Sequence, residues 1–168
     1  TLERTADFVM KAHNVATGRD EIIHLEFQTT NDGKMAGRML LYYWLLYDLY
    51  QLPVRQFVVY IGESKLTMAD TIRQDRLQFS YQLINLHTVS YQQFLASEKA
   101  EVVILTILAD FEEKDADWVV QQILRRIQSL DQIPSDLQRH VQQLDVLSLL
   151  RNLQQTVIKH ETAMAITL

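Results

Sequence analysis

Residues 21–28 read Glu21-Ile-Ile-His-Leu-Glu-Phe-Gln28, and this stretch predicts the strand around which the rest of the fold is arranged. Successive side chains of a strand point to opposite faces of a sheet. The odd positions from Ile23 onward are apolar, whereas His24, Glu26 and Gln28 share the other face. One face of the predicted strand is therefore mostly apolar, and the other carries polar side chains.

The neighbouring segments predict a hairpin, a helix and a further strand. Residues 5–11 are rich in β-forming side chains and are joined to the first stretch by a polar segment that contains Gly18, as in a β-hairpin. Apolar and aromatic residues recur at helical spacing over residues 35–51, and Pro53 ends this helix. Residues 54–61 then predict a central, buried strand.

The pattern of the chain changes near residue 90. Residues 77–83 alternate between apolar and polar side chains, which is typical of a strand at the margin of a sheet. Later segments have a helical period, at 98–109, 115–130 and 135–159. We therefore expect an α/β core at residues 1–90, with a mixed sheet flanked by helices, and a C-terminal helical extension at residues 91–168 packed on the same domain.

Composition restricts the class of protein. A chain of 168 residues with 48% hydrophobic content can bury the core of one domain. The absence of cysteine excludes disulfides and cysteine-ligated zinc, and it fits a reducing cytoplasm, which is the expected location. No apolar run approaches the roughly 20 residues that span a bilayer, so we expect no membrane partner. The first residue is Thr1 rather than Met, so we expect the natural chain to start further upstream.

The net charge of −5 argues against a protein that coats nucleic acid nonspecifically, because such binding depends on Lys and Arg. The charge is unevenly distributed. Residues 1–76 carry nine Lys and Arg against ten Asp and Glu, whereas residues 77–168 carry seven against eleven. We therefore expect a polyanion to approach the first half of the chain.

Two carboxylates stand in apolar surroundings on adjacent predicted strands. Asp7 and Glu26 each lie between two apolar residues, in the middle of a predicted strand. A charge in such a position is costly without a partner or a metal ion, and carboxylate oxygens are ligands that Mg²⁺ prefers. Spacing alone leaves two interpretations open: a divalent-metal site at Asp7 and Glu26, or a structural ion-pair network with Lys11, Arg38 or His24.

The order Asp7, then Glu26-Phe-Gln28, then Met35-x-x-Arg38-x-x-x-Tyr42 resembles the Rpn family of recombination-promoting nucleases, which belongs to the PD-(D/E)XK nuclease superfamily. The similarity spans residues 5–90 and is looser in the helical tail. It implies a restriction-endonuclease-like fold and a DNA endonuclease that depends on Mg²⁺, with Mn²⁺ as a substitute. It also implies a role in recombination or mobile elements.

The resemblance assigns roles to three residues of the pattern. Asp7 matches the motif aspartate and Glu26 the second acid, so both would be catalytic residues and metal ligands. Gln28 stands where the superfamily usually has Lys, and Gln cannot supply the positive charge of that Lys. As a catalytic residue, Gln28 would instead orient the attacking water or donate to a phosphate oxygen.

Three further residues are predicted to bind the substrate, which is expected to be DNA. Arg38 and Tyr42 are four residues apart and therefore share one face of the predicted helix. Where that face looks back toward the strand ends, the Arg38 guanidinium can hold a phosphate. Lys11 has the same parity as Asp7 and is expected to reach the same groove.

Two other functions remain open. The replacement at Gln28 and the lack of the upstream helix and strand that family members carry fit a nuclease-like domain that no longer cuts and serves as a binding or assembly module. A glycoside hydrolase with Asp7 and Glu26 as its carboxylate pair ranks last, because the polar strand faces lack aromatic residues that stack on sugars. In all three cases, His24 is expected to flank the site or to be partly exposed.

A homodimer is the second expected partner, because cutting both strands of a duplex usually takes two active sites. The predicted helix at 135–159 offers apolar residues for an interface, which are Val141, Leu144, Leu147 and Val157. The same residues also fit the alternative of packing on the protein's own core.

Overall fold

The structure, a computed structural model, describes residues 6–164. It divides into two compact units, of which the first ends at Asn85 and the second begins at Leu86. The first unit contains the strands and one long helix, and the second is helical. The predicted α/β class with a mixed sheet and a helical C-terminal part is therefore confirmed. Thr5, the first residue of the predicted first strand, lies outside the described residues.

The predicted β-hairpin consists of β1 (Phe8–Asn14) and β2 (Arg19–Gln28). Both strands belong to the main sheet, and β1 is one of its edges. The side-chain oxygen of Asn14 accepts hydrogen bonds from the backbone N–H groups two and three residues further on, which closes the connecting turn. Gly18 completes the turn with a φ of 65°, a conformation that glycine adopts without a side-chain clash. The turn therefore sets the antiparallel pairing of the two strands.

One helix and four more strands complete the first unit. They are α1 (Met35–Tyr50), β3 (Val54–Tyr60), β4 (Thr71–Gln74), β5 (Leu77–Ser80) and β6 (Gln82–Asn85). The main sheet has the order β1-β2-β3-β6, in which β3 is parallel to both β2 and β6. The predicted helix at 35–51 and the predicted strand at 54–61 are confirmed.

The prediction of a single strand at residues 77–83 is wrong. β5 pairs with β4 in a separate two-stranded sheet, whereas β6 forms the edge of the main sheet. The change occurs at Tyr81, whose backbone N–H donates to the carbonyl oxygen of Asp70 and whose hydroxyl donates to that of Ala69. Tyr81 is buried, so it fixes the point at which the chain leaves one sheet and joins the other.

The polar face of β2 is the buried one. His24 and Glu26 lie under α1, where Met35 and Met39 are fully buried together with Tyr60 of β3. The opposite face of β2 is apolar but far more accessible, since Phe27 is 46% exposed. The core of this unit therefore contains the polar side chains of the strand, and these side chains need hydrogen-bond partners there.

The second unit contains five α-helices within the described residues. They are α2 (Tyr91–Leu95), α3 (Ala100–Val103), α4 (Ala116–Leu130), α5 (Pro134–Ser148) and α6 (Gln154–Ala163). The predicted helix at 115–130 is confirmed. The predicted helix at 98–109 continues from α3 only as a 3-10 helix, and the predicted helix at 135–159 is interrupted at Asn152, which has a φ of 54°. No helix in this or the first unit, over residues 6–164, is both long and apolar enough to cross a membrane.

The core of the second unit contains the residues that were predicted as a dimer interface. Val141, Leu144 and Val157 are fully buried within the chain itself, and Leu147 is partly buried. The predicted interface is therefore wrong, and the alternative that these side chains pack on the core holds. A homodimer through another surface stays a prediction.

Candidate active site

Asp7 and Glu26 meet across the hairpin. Phe8 pairs with Leu25, so continuing the antiparallel register by one residue places Asp7 opposite Glu26. The backbone N–H of Asp7 donates to Glu26 Oε1 at 3.1 Å, and the backbone N–H of Phe27 donates to Asp7 Oδ2 at 2.9 Å. The sequence predicted Asp7 in the middle of a strand, and this prediction is wrong. Asp7 lies at a bend directly before β1. This reciprocal pairing holds the two carboxylates side by side.

The two acids open into a cavity of about 710 Å³. Its wall includes three more of the residues that the sequence singled out, which are Gln28, Arg38 and Tyr42. Lys11 is not brought to this cavity, because its Nζ forms a salt bridge of 2.8 Å with Asp20 nearer the turn of the hairpin. Five of the six predicted site residues therefore share one surface.

Arg38 joins two carboxylates across the cavity. Its Nη2 donates to Glu26 Oε2 at 3.2 Å, and its Nη1 donates to Asp32 Oδ2, also at 3.2 Å. Helix α1 places Arg38 one turn from its start, facing the end of β2. The guanidinium therefore links the loop before the helix to the strand that carries Glu26.

Asp32 is a site residue that the sequence reasoning missed. Its Oδ1 accepts a hydrogen bond of 2.8 Å from the backbone N–H of Lys34, and its carbonyl oxygen accepts one from Met35, so it organises the start of α1. The sequence could have indicated a role for Asp32 at the start of α1, because Asp is favoured just before a helix. Asp32 and Lys34 both line the cavity, which therefore has three carboxylates and two cations.

His24 flanks the site, which was one of its two expected positions, but it is fully buried, so the other expectation of a partly exposed histidine is wrong. Its Nε2 lies 3.0 Å from Glu26 Oε1, and its Nδ1 lies 2.9 Å from Nε2 of Gln56. The same Gln56 nitrogen lies 2.9 Å from the carbonyl oxygen of Met39. A carbonyl oxygen can only accept, so this Gln56 atom is the amide nitrogen, which can only donate. Gln56 must therefore donate to Nδ1 as well, so the tautomer with hydrogen on Nε2 satisfies both contacts and lets His24 donate to Glu26.

The environment of Glu26 keeps it ionised. Burial of the carboxylate favours its neutral form, but the hydrogen bonds from His24 and the Asp7 backbone, together with the charge of Arg38, outweigh burial. They hold the pKa of Glu26 below its ordinary value of 4.5. Glu26 therefore presents a negative charge to the cavity at neutral pH.

This lowered pKa predicts a dependence of stability on acid. Glu26 contributes a stabilisation that is fully present above its unfolded-state pKa and is lost as the pH falls through the lower, folded-state pKa. We expect the free energy of unfolding of the wild type to fall more steeply below pH 4.5 than that of Glu26→Gln, when both are measured by urea denaturation. Parallel pH profiles for the two proteins would contradict the ionised state assigned to Glu26.

The donor set at Asp7 and Glu26 fits a hard divalent cation such as Mg²⁺. Asp7 Oδ1 accepts no hydrogen bond from residues 6–164, and Glu26 Oε2 accepts one there only from Arg38. Mg²⁺ is bound by one or two carboxylates with several waters, so it does not need a cage of side chains. Within the described part of the chain, no group of three His, Asp or Glu residues is arranged to hold a metal ion. Water would have to complete the coordination.

Comparison with models of protein families, with curated proteins and with solved structures finds no match to this chain.

Proposed function

We propose that the cavity is the active site of a metal-dependent DNA endonuclease that hydrolyses phosphodiester bonds, as the resemblance to the Rpn family and the PD-(D/E)XK superfamily implies. One observation carries this proposal: Asp7, directly before β1, lies opposite Glu26 of β2, and both acids open into the same cavity. A structural ion-pair network would not require an open cavity of 710 Å³ at its acids. The proposed location is the cytoplasm, and the role in recombination or mobile elements is part of the same proposal.

Asp7 and Glu26 would hold Mg²⁺ or Mn²⁺. When bound, the ion would supply positive charge that activates water and stabilises the negative charge developing on the phosphate. The protein contributes the relative position of the two carboxylates, which is held because each carboxylate accepts a hydrogen bond from a backbone N–H across the hairpin. It also keeps Glu26 ionised through the donors around it.

The other lining residues would bind and orient the substrate. Gln28 lies two residues beyond Glu26 on the same face of β2, so its amide can orient a water or donate to a phosphate oxygen. Arg38 and Lys34 supply the positive charges of the cavity. With three carboxylates, the lining residues have a net charge of −1, which a divalent cation would convert to +1 and make favourable for a phosphodiester.

The test is cleavage of supercoiled plasmid in the presence of Mg²⁺ or Mn²⁺. We expect Asp7→Asn and Glu26→Gln to reduce the rate of nicking by at least about 100-fold, beyond the 10–100-fold typical of residues that only support metal ligands. The matched control is Asp20→Asn, which removes an exposed carboxylate near the other end of the same hairpin and should leave the rate unchanged. Equal activity of all three variants and the wild type would exclude this site.

A second candidate is a nuclease-like binding or assembly module that does not cut. It is favoured by the engagement of both Glu26 oxygens with His24, Arg38 and the Asp7 backbone, and by Gln28 in place of a catalytic lysine. This candidate predicts that the protein binds DNA with the same affinity in Mn²⁺ and in EDTA and releases no cleaved product. Metal-dependent cleavage would rule it out.

A further inference from the structure

We propose that Arg38 competes with the divalent cation for Glu26, so that the side chain closes the metal site until a cation displaces it and then becomes available to the substrate. The inference rests on the proposed metal site at Asp7 and Glu26. It adds a gating role to Arg38, for which the sequence predicted only that the guanidinium holds a phosphate of the substrate.

Arg38 shares its guanidinium between two carboxylates. An arginine that only stabilises a carboxylate commonly places two parallel N–H groups on the two oxygens of that one carboxylate. Arg38 instead divides its terminal nitrogens between Glu26 Oε2 and Asp32 Oδ2, at 3.2 Å each. It therefore bridges acids of two different elements, as a bound cation would.

Arg38 occupies the one Glu26 oxygen that is open to a ligand in the cavity. Glu26 Oε1 already accepts two hydrogen bonds, one from the Asp7 backbone and one from His24. Glu26 Oε2 is the oxygen that remains for a ligand in the cavity, and it is the one bound to Arg38. A cation that binds Glu26 must therefore replace the guanidinium or lie beside it.

A cation bound at Glu26 and the Arg38 guanidinium would repel each other. Glu26 is only 3% exposed, so water screens little of the repulsion between Arg38 and a divalent ion at the same carboxylate. The repulsion is relieved when the guanidinium swings away from Oε2, and the Asp32 contact gives Arg38 a pivot that does not involve Glu26. The nitrogen released from Glu26 then points into a cavity in which a phosphate oxygen is its best partner.

The test is isothermal titration of the protein with Mn²⁺ alone. We expect Arg38→Ala to bind Mn²⁺ at least about tenfold more tightly than the wild type, which corresponds to about 1.4 kcal/mol. Arg38→Lys, which keeps the charge but cannot bridge two carboxylates with one planar fork, should fall between the two. The matched control is Arg55→Ala, which removes the same charge and another Arg–Glu pair, outside the cavity. Its affinity for Mn²⁺ should stay within about twofold of the wild type.

The outcomes separate this inference from the proposed function. Mn²⁺ binding to the wild type with unchanged affinity in Arg38→Ala would overturn the competition and leave the metal site standing. Absence of binding to both proteins would overturn the metal site itself and the competition with it. Because removal of Arg38 leaves a buried carboxylate without its cation, thermal unfolding with and without Mn²⁺ is the second measurement. We expect Mn²⁺ to raise the melting temperature of Arg38→Ala more than that of the wild type, and an equal rise in both would again overturn the competition.

Discussion

His24→Ala should destabilise the first unit by about 3–5 kcal/mol, because it removes two buried hydrogen bonds and leaves a cavity in place of a fully buried ring. The substitution removes a donor to Glu26 and an acceptor from Gln56, and both partners are buried. Loss of the hydrogen bond to the charged Glu26 costs about 1.5–3 kcal/mol and loss of the bond to Gln56 about 0.5–1.5 kcal/mol, while both partners keep their other hydrogen bonds. The substitution also removes the edge-to-face contact between His24 and Tyr42, whose ring centroids are 5.0 Å apart.

The two tryptophans allow this loss to be assigned to one unit. Trp44 lies on α1 and Trp118 on α4, so a Trp118→Phe background leaves Trp44 as the fluorescent reporter of the first unit. Urea denaturation followed by Trp44 fluorescence then gives the free energy of unfolding of each variant in this background. The matched control is His13→Ala on the same hairpin, where the histidine is largely exposed and pairs with Asp20. It should cost less than about 1 kcal/mol.

A similar small loss for His24→Ala and His13→Ala would contradict the buried network. In that case, His24 would have no role in holding Glu26, and the tautomer derived from the Gln56 contacts would lose its support.

Gly62→Ala should also destabilise the first unit, by about 3 kcal/mol. A Cβ at position 62 would overlap the carbonyl oxygen of Thr29 and lie 2.7 Å from its carbonyl carbon and 2.7 Å from the Tyr60 hydroxyl. The nearest obstacle is backbone, which cannot turn aside as a flexible side chain can. Thr29 directly follows β2, so the displaced backbone would also move the end of the strand that carries Gln28.

The same fluorescence assay measures this effect, with Gly37→Ala as the matched control. An added Cβ at Gly37 meets no atom within 4 Å, and the residue lies in α1, where alanine is favoured over glycine by about 0.8–1.0 kcal/mol. Opposite signs for the two Gly→Ala substitutions are therefore expected. A neutral effect of Gly62→Ala would contradict the close approach of Gly62 to the Thr29 carbonyl group.

Elements defined by local signals could be predicted from the sequence. The helix ended by Pro53, the strand at residues 54–60 and the hairpin around Gly18 all depend on the period of apolar residues and on residues that break or turn the chain. The single strand predicted at 77–83 could not be divided correctly, because the alternation continues across Tyr81 while its pairing partner changes. Pairing is a tertiary property, and one strand's pattern does not contain it.

The position of the candidate site could be predicted only in part, because local patterns do not show which residues of other strands become partners. Spacing and resemblance identified Asp7, Glu26 and Arg38 as neighbours of one cavity. His24 was misplaced because polar side chains are usually exposed unless they have buried partners, and its partner Gln56 lies on another strand. Lys11 was misplaced because shared parity fixes the face of a strand but not the distance along it.

The turn between β1 and β2 is far from any proposed substrate contact, yet it decides whether Asp7 and Glu26 lie opposite each other, as the proposed chemistry requires. A slip of one residue in the pairing would bring Phe27 to the place of Glu26 and turn the carboxylate toward the open side of the sheet. Asn14 and Gly18 prevent this slip by fixing the length of the connection. Insertions in this surface loop should therefore be tolerated only where they preserve the register of β1 with β2. The length of a loop that contacts no substrate is in this way tied to the position of the two acids.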